Sequence, residues 1–65
     1  MQMVILPMLV MGEKVRTAIQ PNNIVSIEED SEGRCRVLMS DNNIFRVLLP
    51  LNDTVELING AGNGI

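Results

Sequence analysis

Residues 3–11 read Met-Val-Ile-Leu-Pro-Met-Leu-Val-Met, an apolar run with no polar alternation. Such a run suits a strand covered on both faces. Pro7 cannot donate to a ladder, so it belongs at an edge, at a bulge, or where its nitrogen points outward. Gly12-Glu13 follows, and glycine at the first central position suits a type II′ hairpin turn. Val15, Thr17 and Ile19 then alternate with Lys14, Arg16 and Ala18, the period of a half-buried strand. This turn sets Val10 opposite Val15, Met8 opposite Thr17 and Leu6 opposite Ile19, all on one face. Ile5, Leu9 and Met11 fall on the other face, near Arg16 and Lys14. An apolar first strand beside a polar-backed second strand lacks intrachain cover over part of its surface.

The remaining pattern continues in short strands. Gln20-Pro21-Asn22-Asn23 is turn chemistry. Residues 24–28 predict a third strand, with Ile24, Ser26 and Glu28 opposite Val25 and Ile27. Gly33 closes a loop and suits a positive φ. Cys35, Val37 and Met39 alternate with Arg34, Arg36, Leu38 and Ser40 in a fourth strand. Asp41-Asn42-Asn43 connects it to a fifth over residues 44–49, with Phe45, Val47 and Leu49 on one face and Arg46 on the other; Pro50 ends it. Asp53-Thr54-Val55-Glu56 matches a capping box, which predicts one or two helical turns stopping at Gly60. So short a helix is stable only when packed on the sheet. The expected fold is mainly β: a small five-stranded antiparallel sheet or barrel-like meander with a short C-terminal helical turn. Residues 1–59 form a single β-rich domain, and residues 60–65 a flexible Gly-rich tail.

Composition narrows the chemistry. The chain has 65 residues, one Cys, one Phe, and no His, Trp or Tyr. Without His there is no imidazole base, no Ser-His or Cys-His pair and no His-containing metal site. One Cys makes neither an internal disulfide nor a Cys-based zinc site. A lone thiol is ordinary in a reducing compartment, so a cytoplasmic location is expected. No segment carries the ligand spacing of a calcium loop. No catalytic residue, cofactor or metal site is expected. Five Lys+Arg against eight Asp+Glu give a net charge of -3. That balance, with a single aromatic, argues against nucleic acid. The apolar run is too short to span a bilayer. A chain of this size buries a modest core, which makes association with a second copy a source of the missing stability.

Individual residues sharpen this. Cys35 shares parity with Val37 and Met39 and reads as a core thiol. Glu28, Glu29, Asp30 and Glu32 form an acidic rim. Arg34, Arg36 and Arg46 fall on one sheet face, a candidate anion or nucleic-acid contact, or else partners of Glu28 across the strands. Met1, Met3, Met8 and Met11 crowd the N-terminal segment. Methionine repacks against varied surfaces, so Ile5, Met8, Leu9 and Met11 are the expected partner interface.

From Gly12 to Ile58 the chain resembles the small flagellar proteins of the FlbD (SwrD) type. The resemblance rests on Gly12-Glu13, Ile19 with Pro21, and Ile24 with Ile27-Glu28-Glu29. Val37 and Met39, the turn at 41–43, Val47 and Val55-Glu56-Leu57-Ile58 complete it. The chain departs from that family in its apolar first strand, in Asn at the last hairpin, and in its Gly-rich ending. The resemblance implies a small structural or regulatory accessory protein without enzymatic residues. Five short strands and a terminal helix also resemble the carbon storage regulators, intertwined β dimers that bind messenger RNA. The family's Arg near strand one is replaced here by Pro7-Met8-Leu9. The expected function is therefore a small non-enzymatic accessory or regulatory protein that acts through self-association and a protein partner. The alternative is a nucleic-acid-binding regulator built as an intertwined β dimer.

Overall fold

The computed structural model describes residues 2–62. Five strands form one antiparallel sheet: β1 Val4–Val10, β2 Glu13–Ile19, β3 Ile24–Glu29, β4 Cys35–Met39 and β5 Ile44–Val47. A helix, α1, runs Leu51–Gly62. The strand order is β2-β1-β5-β4-β3, so β2 and β3 are the outer strands.

These outer strands are joined by Gln20 and the 3-10 turn Pro21–Asn23 alone. An extended chain of that length spans about 17 Å. Five strands laid flat put their outer members about 19 Å apart, and β2 and β3 run the same way in such a sheet, which lengthens the path. The sheet therefore curls. Its inner face holds the core: Val4, Leu6, Met8, Ile19, Cys35, Val37, Met39 and Val47, with Ile24, Ile27, Phe45, Leu49, Leu51 and Ile58 packed against them. Its outer face is left to solvent.

The β1–β2 hairpin turns one residue earlier than expected. Met11 (φ 51°) and Gly12 (φ 81°) are both left-handed, the mark of a type I′ turn. Val10 therefore pairs with Glu13, Met8 with Val15, Leu6 with Thr17 and Val4 with Ile19. The slip moves each partner by two residues, so every side chain keeps its expected face. Pro7 sits opposite Arg16. Its carbonyl accepts the Leu48 N–H at 2.8 Å, so its backbone polar groups point toward β5 rather than β2. The ladder between β1 and β5 covers only Met8 and Leu9, and the missing donor of Pro7 lies where that ladder ends.

In β3 the expected alternation breaks. A bulge between Ile24 and Ser26 leaves Val25 out of register and 63% exposed. Ile24 and Ile27 both reach the core as a result. Pro50, not Asp53, begins the helix. Its carbonyl accepts the first helical bond, from Thr54 N–H at 3.1 Å, at a position where proline's lack of a donor costs nothing. Leu51, Thr54, Val55 and Ile58 turn inward at helical spacing. Asp53, the expected cap, therefore lies inside the first turn, and Thr54 beside it is fully buried. Gly60 keeps helical backbone and lacks the positive φ of a glycine stop. The helix carries on through residues 60–62 of the expected tail, and residues 63–65 lie outside the described residues. No helix among the described residues is long and apolar enough to cross a membrane.

Candidate functional site: the outer face of the sheet

Strand parity assigns the outer face. β2 places Lys14, Arg16 and Ala18 there, β1 places Ile5, Pro7 and Leu9, and β5 places Ile44 and Arg46. β4 adds Arg36 and Leu38, and β3 adds Ser26 and Glu28. Arg34 precedes β4 with the same parity, and its carbonyl accepts the Asp30 N–H at 2.8 Å. Four of the chain's five Lys and Arg residues, Lys14, Arg16, Arg36 and Arg46, therefore lie on this face.

The expected interface residues divide. Ile5 is 52% exposed and Met11 98%, while Leu9 is half-buried between Lys14 and Arg46. Met8 must be corrected: it is fully buried on the inner face and offers nothing to a partner. An even-numbered residue of β1 shares the face of Leu6. Met1 lies outside the described residues. Ile44, 64% exposed on the same outer face, belongs with Ile5 and Leu9. Its signal was opposite parity to Phe45.

The structure brings Arg36 and Arg46 directly opposite each other, with Glu28 across from Arg36. Like charges so placed repel unless neutralised. Asp30 and Glu32 approach the Arg46 guanidinium, each at 3.7 Å. The Asp30 Oδ1 accepts the backbone N–H groups of Glu32 (2.9 Å) and Arg34 (3.0 Å), which fixes the acidic loop as an Asx turn. Burial pushes the Asp30 carboxyl up. The two N–H bonds and the charges of Arg46 and Arg36 outweigh it and hold the group below the usual carboxylate range. Its Oδ2 is buried without a hydrogen bond, beside a cleft lined by Glu29, Ser31, Arg36 and Arg46. The acidic rim and the arginine stripe are thus one mixed-charge cluster.

At the other end of the face the balance differs. Lys14 and Arg16 form no ion pair among the described residues. Beside the end of β2 opens a second cleft of about 410 Å³. Thr17, Ile19 and Gln20 line one side, and Met39, Asn43 and Phe45 the other.

Cys35 is fully buried. Its thiol donates to the Thr54 hydroxyl at 3.2 Å, which in turn donates to the Pro50 carbonyl at 3.0 Å. It is a core thiol, and it ties the sheet to the helix. Comparison with family models, curated proteins and solved structures finds no match for this chain, so the functional reading rests on its own geometry.

Proposed function

We propose that the chain is a small non-enzymatic accessory or regulatory module that binds another protein through the outer face of its sheet. The observation that carries this reading is the set of aliphatic residues stranded on that face, Ile5, Leu9, Leu38 and Ile44, set among Lys14, Arg16, Arg36 and Arg46. Aliphatic area ringed by charge is the composition of a contact surface. The absence of His and the engagement of Cys35 with Thr54 leave no activated nucleophile. The resemblance to small flagellar accessory proteins points the same way, and a reducing, cytoplasmic setting suits the lone thiol.

Self-association through strand one belongs to this reading in a restricted form. Two convex faces meet over little area, and a two-fold pairing sets cations against cations. A nucleic-acid contact through Arg34, Arg36 and Arg46 is the second reading, favoured by the gathering of Lys14, Arg16, Arg36 and Arg46 on one face. Glu28, Asp30 and Glu32 stand among those arginines, and Phe45 lies on the opposite, inner face of the sheet.

A photo-crosslinking residue at the position of Leu9, compared with one at Glu56 on the helix, tests the proposal in cells that make the protein. Discrete protein adducts from position 9 and none from position 56 are expected. Adducts formed equally from both, or from neither, remove the outer face as the binding surface. Retention on a nucleic-acid column that falls steeply with salt favours the second reading.

A further inference from the structure

The two outer strands present different edges. β3 carries the Val25 bulge and the pair Glu28-Glu29. β2 pairs with β1 without interruption over all seven residues and contains no proline or bulge. The polar groups of Pro7 face β5, so those of its partner Arg16 face away from β1. By the same alternation Lys14, Arg16 and Ala18 turn their N–H and C=O groups to solvent. The helix packs mainly on β1, β3 and the 3-10 turn.

The side chains along β2 form two rows. Lys14 and Arg16 project on the outer face without an ion pair. On the inner face lie Val15, 40% exposed, and Thr17, half-buried, and they lead into the cleft floored by Met39 and Phe45. A second copy of β2 is a poor partner. A two-fold antiparallel pairing centred here sets Lys14 and Arg16 against each other or themselves. A strand that alternates carboxylates with aliphatic side chains matches both rows at once. We infer that the free edge of β2 is a strand-addition site for an extended acidic segment of a partner protein, whose carboxylates meet Lys14 and Arg16 and whose aliphatic side chains run along Val15 and Thr17 into the Phe45 cleft. This rests on the partner-binding reading above and gives the partner's conformation and charge. Main-chain pairing supplies affinity in such a mode, and the two rows supply selectivity.

The test is amide hydrogen exchange on the isotopically labelled chain with a short blocked peptide of alternating Glu and Val, and with its counterpart of alternating Lys and Val. The acidic peptide is expected to slow exchange at Lys14, Arg16 and Ala18 by about tenfold or more, and the basic peptide to leave it unchanged. The exposed double variant Lys14→Glu/Arg16→Glu is expected to reverse that preference. Equal binding of both peptides overturns the charge assignment. Acidic-peptide binding that perturbs Ile5, Leu9 and Ile44 but leaves the three edge amides unprotected overturns strand addition and keeps the outer face as a contact surface. No binding of either peptide overturns the inference, while adducts from position 9 still decide the broader proposal separately.

Discussion

The inner and outer faces of β1 are built from nearly the same apolar residues and do opposite work. Val4, Leu6 and Met8 are closed off inside the curled sheet, whereas Ile5 and Leu9 lie among Lys14, Arg16 and Arg46. Hydrophobicity alone does not separate the two sets. Position in the pleat does, because the curl brings α1 and four other strands over one face only. The lesson is that a continuous apolar run marks a strand whose second face has its own use, not necessarily one buried twice.

The severest way to probe this contrast is truncation on each side. Leu6→Ala removes packing from the sealed face and is expected to cost about 3 kcal/mol, read as a lowered urea midpoint. Ile5→Ala should cost less than about 1 kcal/mol. Equal losses would mean that the outer residues are part of the core. Next comes the helix that seals the inner face. Thr54→Ala deletes a buried methyl group and the acceptor of the Cys35 thiol, at about 2 kcal/mol. Thr54→Ser keeps the hydroxyl and removes only the buried methyl group, a smaller but measurable loss.

A smaller effect belongs to the outer-face corner. The Asp30 carboxyl is held below its ordinary range, so the unfolded chain takes up its proton first as pH falls. The stability it contributes is therefore complete above about pH 4–5 and fades at more acidic pH. Urea midpoints followed into acid should fall less steeply for Asp30→Asn than for the parent chain. An identical slope would place Asp30 outside the Arg46 cluster. The smallest change is a gain. Met11 takes a left-handed backbone and full exposure together. Met11→Asn supplies the Asn-Gly pair that a type I′ turn prefers and should add about 0.5–1 kcal/mol, seen as a raised midpoint.

Much of this could be read in advance. Period-two alternation placed Cys35, Val37 and Val47 inside and Arg36 and Arg46 outside. It failed where backbone conformation overrides pattern. The register of the first hairpin slipped because glycine was assigned the leading turn position, while the chain puts Met11 there at positive φ. The Val25 bulge leaves no mark in composition, since Ile24 and Ile27 break parity only once it is known. Asp53 looked like a cap because Glu56 follows it at capping-box spacing; Pro50 starts the helix three residues earlier, and that start turns Thr54 inward. The grouping of Lys14 and Arg16 with the Phe45 cleft depends on the curl, which no single strand's pattern encodes.

The Cys35 thiol gives the molecule a built-in clock. Its sulfur is sealed between sheet and helix, with the Thr54 hydroxyl as its polar neighbour. A reagent reaches it only when α1 lifts away, so the rate of alkylation measures how often the helix lets go. Compared with global unfolding, that rate tells whether α1 opens alone or only together with the strands beneath it.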